Sequence, residues 1–286
     1  MLYVLPNAPI YQPQFAGAYL QQNTGIGFEA ALKLVNCNAK RVILGVRSIS
    51  KGEDAKVDIE KRTGRKGAVD VWQVDMLDYT SIQNFAARVR NELDTLDYAI
   101  LNAGIIPATF EKSTYGWEST LQVNFISTVL LAVLLLPKLN LSKTATFTPV
   151  LEIIGSGNHQ RASVLPAVDD AAQDPLQVYN AKEVFGLGQY DISKLFLMYA
   201  LPYLVELGKP DKSTVASTHV VVVCPAFTQS DLARDYLDKF IFRVIYASMK
   251  LVIAKTSEQG ARYYVSGLEV GGAGNGRFYQ YDKVQP

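Results

Sequence analysis

Blocks of apolar residues along this chain predict strands and helices in alternation. Short, nearly continuous apolar runs, of which Arg41–Val46 is the clearest, are typical of strands buried on both faces. Longer stretches with apolar positions at helical spacing, such as residues 80–93, predict amphipathic helices. The predicted strands are 16–20, 41–46, 68–74, 96–101, 150–154, 219–223 and 277–281, and the predicted helices are 27–35, 54–62, 80–93, 117–139 and 190–207.

Buried strands that alternate with helices indicate a parallel sheet with helices on both faces. The predicted fold class is α/β, a doubly wound, Rossmann-like parallel sheet in a single domain. We assign residues 23–286 to this domain, and residues 1–22 to an atypical N-terminal segment with a residual first strand. The run at 16–20 lacks a strongly apolar stretch, so this first strand is expected to be shortened.

Composition excludes several classes of function and partner. The chain has 286 residues, 49% of them hydrophobic, and a formal net charge of +1, so charge favours neither nucleic acid nor a membrane surface. The two cysteines and two histidines form no metal-type cluster, and free thiols suit a reducing compartment. The longest apolar run, 129–136, is shorter than the roughly 20 residues that span a bilayer. We expect a cytoplasmic protein without a metal or a membrane span.

A tyrosine and a lysine at helical spacing suggest acid/base chemistry. Tyr190 and Lys194 lie four positions apart and share one face of the predicted helix. A nearby ammonium is expected to lower the phenol pKa from about 10 and to suit it to proton transfer. Tyr246 and Lys250 have the same spacing, so the pair alone is not specific. Only Tyr190 follows Gly25 and Gly27, Asn102 to Gly104, Asn124 and Ser156 both in order and at fitting distances.

Taken in this order, the motifs resemble the short-chain dehydrogenase/reductase family from about Asn23 to the end of the chain. Three stretches look like retinol-dehydrogenase-like and fungal short-chain reductases: Asn-Thr-Gly-Ile-Gly-Phe-Glu-Ala-Ala, Arg-Val-Ile-Leu-Gly-Val-Arg-Ser and Val-Asn-Phe-Ile-Ser-Thr-Val-Leu-Leu. The resemblance implies an oxidoreductase of secondary metabolism. It would interconvert a carbonyl and a secondary alcohol on a small-molecule substrate.

The resemblance also implies the catalytic residues. Tyr190 matches the acid/base that protonates a carbonyl oxygen, and Lys194 would lower its pKa and hold the nicotinamide ribose. Ser156 would hydrogen-bond the substrate oxygen, and Asn124 would hold a water in a proton relay behind Lys194. Two structural alternatives stay open: Ser156 as a turn serine at a strand end, and Asn124 as a helix residue that bonds a neighbouring backbone group.

The matched positions on the cofactor side are Gly25, Ile26, Gly27, Arg47, Asp75, Asn102, Ala103, Gly104, Tyr190, Lys194, Thr228 and Ser230. Gly25 and Gly27 would let the backbone approach a pyrophosphate at a helix N-terminus. The stretch from Asn102 to Gly104 would line the adenosine side. Asp75 matches the position that bonds the adenine amine, with a helix-capping aspartate as the alternative.

Arg47 points to the form of the cofactor. It follows the second strand directly, where an NAD enzyme would carry an acid, and an arginine there accommodates a 2′-phosphate. NADP is therefore the expected cofactor, and an exposed, solvated arginine is the alternative.

Two departures from the family pattern keep other functions open. Gln21 stands where the first glycine is expected, which puts cofactor binding in question, and Ala226 stands where a glycine follows Pro225, a small change. The alternatives are a degenerate, non-catalytic family member that binds a ligand or partner, and a non-redox lyase or isomerase. The segments 157–189 and 227–250 are expected substrate walls, and the apolar character of the second favours a hydrophobic substrate. The oligomeric state stays open, a homo-oligomer included.

Overall fold

In a computed structural model of the chain, the described residues are 14–19, 25–165, 173–186, 188–209, 216–228, 232 and 254–285. For residues 14–19 the description covers the backbone alone. Several residues that carry predictions lie outside these ranges: Gln21 with its neighbours at 20–23, Ser230, and the pair Tyr246 and Lys250.

Strands and helices alternate along the chain as the apolar pattern predicts. The strands are β1 (Gln14–Tyr19), β2 (Arg41–Val46), β3 (Val69–Gln73), β4 (Tyr98–Leu101), β5 (Val150–Ile154), β6 (His219–Cys224), β7 (Arg277–Gln280) and β8 (Lys283–Val284). The helices are α1 (Ile26–Asn36), α2 (Ile49–Thr63), α3 (Tyr79–Glu92), α4 (Ser119–Leu141), α5 (Pro175–Tyr179), α6 (Gly188–Leu207) and α7 (Ser257–Glu269). Helices α5 and α7 were not predicted, although Thr256 and Gln259 form a capping box at the start of α7.

The strands form one sheet in the order β3-β2-β1-β4-β5-β6-β7-β8. Strands β1 to β7 run parallel, and β8 pairs antiparallel with β7. This order confirms the predicted doubly wound α/β class. The direction of winding reverses between β1 and β4, and the crevice outside the carboxyl ends of such strands is where α/β sheets bind ligands.

The first strand is the irregular part of the sheet. It begins at Gln14, before the predicted start, and its register against β2 shifts between Ala16 and Ala18. Its pairing with β4 is confined to Phe15↔Tyr98 and Ala16↔Ala99, whereas β4 pairs with β5 at four positions. The reversal point of the sheet is therefore held by a short contact.

Helices cover both faces of the sheet. Ile82 of α3, Leu135 of α4 and Leu201 of α6 share one buried apolar layer. Ala31 of α1 and Tyr264 of α7 belong to a second layer on the other face. Burial on both faces explains why the strands are apolar almost throughout.

Helix α4 is the longest apolar element in the described part of the chain. It has 23 residues, and an 18-residue window within it reaches a mean hydropathy of 1.9, enough by length and composition to cross a bilayer, but 67% of that window is buried inside the protein. Pro137 lies within the helix. Helix α4 contains a π-helical turn over Gln122–Ile126 and is otherwise α-helical. It is a core helix packed against α3 and α6.

Candidate active site

The predicted site residues meet at the carboxyl edge of the sheet. Arg47 follows β2, Asn102 follows β4, Ser156 lies just beyond β5, and Thr228 follows β6. Because these strands are parallel, their carboxyl ends share one edge, next to the point where the strand order reverses. The topology thus brings together residues that are far apart in the chain.

Tyr190, Ser156 and Lys194 form the centre of the site. The Ser156 side chain lies beside the Tyr190 phenol, close enough to lower its pKa, and the Lys194 Nζ lies 5.6 Å from the centre of the Tyr190 ring. Lys194 is buried, and its Nζ donates a hydrogen bond to the Ile154 carbonyl at 2.8 Å. Ser156 Oγ also accepts from the Asn158 backbone N–H at 3.2 Å, so its turn role and its contact with Tyr190 coexist.

Burial governs the protonation of this pair. It raises the pKa of the Tyr190 phenol above its usual value of 10, and the Ser156 side chain opposes the rise. Burial also lowers the pKa of Lys194 to about 8, opposed by Cys224. The expectation that Lys194 lowers the pKa of Tyr190 is wrong for this arrangement. Desolvation raises the pKa of the Tyr190 phenol and lowers the pKa of the Lys194 amine, and the ammonium donates to the Ile154 carbonyl.

Asn124 lies fully buried in the π turn of α4. Its Oδ1 accepts from the Ile105 N–H at 2.8 Å, and its Nδ2 donates to the Ile105 carbonyl at 3.0 Å and to Ser193 Oγ at 3.1 Å. These partners are distant in sequence, so the alternative of a bond to a neighbouring backbone group does not hold. A Cβ built on Gly104 would lie 3.7 Å from Asn124 Oδ1 and 3.9 Å from Lys194 Nζ, so both polar groups face Gly104.

Three residues that sequence reasoning missed belong to the site. Ser193 donates to the Tyr190 carbonyl at 2.7 Å and so joins Asn124 to the first turn of α6. Cys224 is buried beside Lys194 and Tyr190, and its Sγ accepts from the Gly157 N–H at 3.3 Å. Cys224 directly follows a predicted strand, and this position was a sequence signal that could have identified it as a site residue.

The third residue that was missed is Tyr264, buried on α7, whose hydroxyl donates to Asn102 Oδ1 at 2.5 Å. Helix α7 lies next to Asn102 only in the folded protein, and no local signal in the sequence connects Tyr264 with Asn102. Asn102 and the buried Ala103 also line an apolar pocket with Gly45 of β2. The pocket therefore spans the strands on either side of β1.

Gly25 precedes the first residue of α1. It is the N-cap residue at φ 102°, a conformation that side chains disfavour, while a Cβ there would meet no described atom within 4 Å. The need for glycine at this position is therefore conformational. Ile26 is half-buried and Gly27 is buried in the first turn. Free N–H groups at such a terminus are suited to bind an anion.

Asp75 lies in the turn after β3. Its Oδ1 accepts from the Leu77 N–H at 2.9 Å, and its N–H donates to Ser81 Oγ at 2.9 Å. The N-cap of α3 is Asp78, whose side chain accepts from the Thr80 N–H at 2.9 Å. The helix-capping alternative thus applies to Asp78 and not to Asp75.

Arg47 and Thr228 lie on opposite sides of the site. Arg47 is exposed directly after β2, open to a ligand beyond the edge of the sheet. Thr228 is buried, and its hydroxyl donates to the Pro225 carbonyl at 2.7 Å. In the turn from Pro225 to Thr228, Ala226 adopts φ 62°. The expectation that alanine is a small change there is wrong, because this conformation favours glycine.

A family model and a sequence relative both point to the same protein family. A family model described as short chain dehydrogenase matches residues 21–147. The "Short-chain dehydrogenase/reductase ffsI" of Aspergillus flavipes is 36% identical over 267 residues, which cover 92% of this chain and 75% of the relative.

Solved structures share the fold at low sequence identity. A short-chain dehydrogenase from Sphingobium yanoikuyae in complex with NADPH has a TM-score of 0.62 at 18% identity, with 90% of this chain and 84% of that chain covered. The NADH-dependent reductase A1-R′ complexed with NAD has a TM-score of 0.64 at 16% identity, with 93% of each chain covered. Both coenzymes thus occur among proteins of this fold.

Proposed function

Because this chain belongs to the short-chain dehydrogenase/reductase family of oxidoreductases, we propose that it is an NADP(H)-dependent enzyme that interconverts a carbonyl and a secondary alcohol on a small hydrophobic substrate. One observation carries the proposal: Tyr190, Ser156 and Lys194 lie together at the carboxyl edge of the sheet, with Lys194 Nζ 5.6 Å from the centre of the Tyr190 ring. A proton donor, an oxygen-binding hydroxyl and a cation are the groups that carbonyl reduction needs.

The residues present fit a dinucleotide. The glycine-capped N-terminus of α1 suits a pyrophosphate, and Asp75 and Asn102 lie at the edge where an adenosine would be bound. Arg47 is exposed and can pair with a 2′-phosphate, which supports NADP over NAD. When bound, the coenzyme supplies or accepts the hydride.

The protein's own part in the reaction is binding and proton transfer. Ser156 and Tyr190 would both bind the carbonyl oxygen, and Tyr190 would donate its phenolic proton as the alkoxide charge develops. The raised pKa keeps the phenol protonated at neutral pH, the form needed to reduce a carbonyl. Asn124 fixes the backbone at Ile105, beside Gly104 and Lys194, and so keeps this side of the site in place.

The proposal of a hydrophobic substrate rests on two aromatic side chains in segments that adjoin site residues in the chain. The rings of Phe110, in the loop after β4, and Phe185, in the segment before α6, meet edge to face with centroids 5.6 Å apart. Both rings are half-buried and offer apolar surface. The segment 229–231 and the residues 233–250, predicted as a second wall, lie outside the described ranges.

The test is NADPH consumption in the presence of a panel of aldehydes, ketones and quinones, followed by absorbance. The Tyr190→Phe variant should lose turnover by at least about 100-fold, in line with the loss of a general acid. NADPH binding, titrated by fluorescence, should stay unchanged. Tyr203→Phe, a change of an exposed tyrosine on the same helix, is the control and should keep full activity.

Each other result points to a named alternative. A folded wild-type protein that does not bind NADPH would contradict the proposal and support a degenerate family member. Binding of NADPH without its consumption, together with conversion of a substrate that depends on Tyr190, would support a non-redox lyase or isomerase.

A further inference from the structure

A buried polar network joins the start of α4 to the residue before Tyr190. The Glu118 side chain is fully buried, and its carboxylate caps α4 by accepting from the backbone N–H groups of Thr120 at 2.8 Å and Leu121 at 3.1 Å. The same carboxylate accepts from Gln189 Nε2 at 2.9 Å. Gln189 is also buried, so solvent does not compete for this bond.

The network also holds the segment that precedes α6. Gln189 Nε2 donates to the Tyr179 carbonyl at 2.8 Å. Asn180 Oδ1 accepts from the Glu118 N–H at 2.7 Å, and Asn180 Nδ2 donates to the Gly116 carbonyl at 3.1 Å. The loop before α4, helix α5 and the first turn of α6 are thereby tied at one buried point, on the side of α6 next to Tyr190.

From this arrangement we infer that Glu118 and Gln189 are positioning residues that hold Tyr190 against Ser156. The inference rests on the function proposed above. Gln189 and Tyr190 are adjacent in the first turn of α6, so a shift of the Gln189 side chain from Glu118 turns the Tyr190 ring relative to Ser156. The first turn is also the part of a helix that lacks a full set of internal backbone bonds, and side-chain ties therefore decide its position.

The arrangement separates two kinetic effects. The network contacts the start of α6 and helix α5, whereas the expected cofactor contacts at Gly25 and Arg47 come from other elements. Loss of the network should therefore lower kcat and raise the KM for the carbonyl substrate. The dissociation constant for NADPH should change much less than kcat, by about threefold at most, because only Tyr190 and Lys194 of the expected cofactor contacts lie on α6.

Gln189→Leu is the first variant, since it keeps the size of the side chain and removes its donors. Its kcat should fall about tenfold or more, as small misplacements of a reacting group do. Thr218→Val is the matched control. It removes a part-buried hydrogen bond of 2.6 Å from the buried Thr218 Oγ1 to Asn140 Oδ1 at the opposite edge of the sheet and should leave kcat within about twofold. If the leucine variant does not fold, Gln189→Met serves the same comparison.

A donor–acceptor exchange tests the contact itself. Glu118→Gln and Gln189→Glu should each lower kcat. The second does so because it places a carboxylate next to the carboxylate of Glu118. The double variant restores an amide-to-carboxylate bond and should be more active than the product of the single effects predicts. Additive effects would overturn the proposed contact.

Hydrogen exchange separates this inference from the proposed function, because it needs no turnover. Backbone amides at 188–193 should exchange faster in Gln189→Leu than in the wild-type protein, and Thr218→Val should not change them. Unchanged exchange there, or an unchanged kcat in the folded variant, would overturn the inference. A wild-type protein without any NADPH turnover would overturn the proposed function, and the exchange result would still decide whether the network holds the turn.

Discussion

The side-chain amide of Asn124 pairs with both backbone groups of Ile105, accepting from its N–H at 2.8 Å and donating to its carbonyl at 3.0 Å. This two-point contact attaches the loop after β4 to the π turn of α4. π turns occur frequently at functional sites, where they redirect a side chain. Here the redirected side chain fixes the backbone beside Gly104, next to the buried Lys194.

Asn124→Ala should destabilise the protein by about 1–3 kcal/mol, because it leaves the part-buried backbone groups of Ile105 without their bonds. Urea unfolding measures the change, and NADPH-dependent turnover should fall in parallel. Asn140→Ala on the same helix is the control, since Asn140 also bonds through its amide, to Leu207 and Thr218, but lies far from the site. Equal losses of activity in both variants would show that the effect of Asn124 is general destabilisation.

Lys194→Met should stabilise the protein while it removes activity. The pKa of Lys194 is lowered from 10.5 to about 8 by burial, a shift worth about 3 kcal/mol at 1.36 kcal/mol per unit. Loss of the hydrogen bond to Ile154 offsets about 1 kcal/mol of this. The variant should therefore gain about 2 kcal/mol in free energy of unfolding at pH 7.

The stability difference between Lys194→Met and the wild-type protein should depend on pH. Below pH 8 the lysine is charged in both states and its burial cost is fully present. Between pH 8 and 10.5 the folded wild-type protein releases the proton before the unfolded chain does, so its stability rises relative to the variant. Urea unfolding at pH 7 and at pH 9.5 should show the gap narrowing. A variant that is less stable than wild type at pH 7 would contradict the assignment of burial as the cause.

Arg47→Asp should reverse or narrow a preference for NADPH over NADH. A charge-assisted bond to the 2′-phosphate contributes about 1.5–3 kcal/mol, or roughly 10- to 100-fold in the ratio of kcat/KM for the two coenzymes. An aspartate there repels that phosphate. Arg90→Asp, the same charge change at an exposed position on α3, should leave the ratio unaltered. Equal use of both coenzymes by the wild-type protein would exclude NADP specificity through Arg47.

Ala226→Gly should raise the free energy of unfolding, by about 1 kcal/mol or less. Ala226 lies at φ 62°, where a Cβ costs about 1–2 kcal/mol, and the greater freedom of glycine in the unfolded chain offsets part of this gain. Ala261→Gly is the same substitution inside α7 and should lower stability by about 1 kcal/mol or more. Thermal unfolding of the two variants should give shifts of opposite sign, and a lowered Tm for Ala226→Gly would refute the strain.

Local pattern determined much of the fold. The predicted bounds of β2 and β5 coincide with the observed strands because a continuous apolar run identifies a strand buried on both faces. Buried strands that alternate with helices were enough to predict a parallel sheet. The motifs in their order resembled a known family, and that resemblance placed Tyr190, Ser156 and Lys194 in one site.

The partners of buried polar side chains were decided only by the tertiary structure. Gln189 hydrogen-bonds Glu118, 71 positions away in the chain, and Tyr264 hydrogen-bonds Asn102, 162 positions away. No local periodicity in the sequence predicts either pairing. The same holds for the raised pKa of Tyr190, since spacing predicts its distance to Lys194 but not how far folding removes both from water. Sequence by itself specifies which groups can react, while packing sets their partners and their desolvation, and with these their protonation.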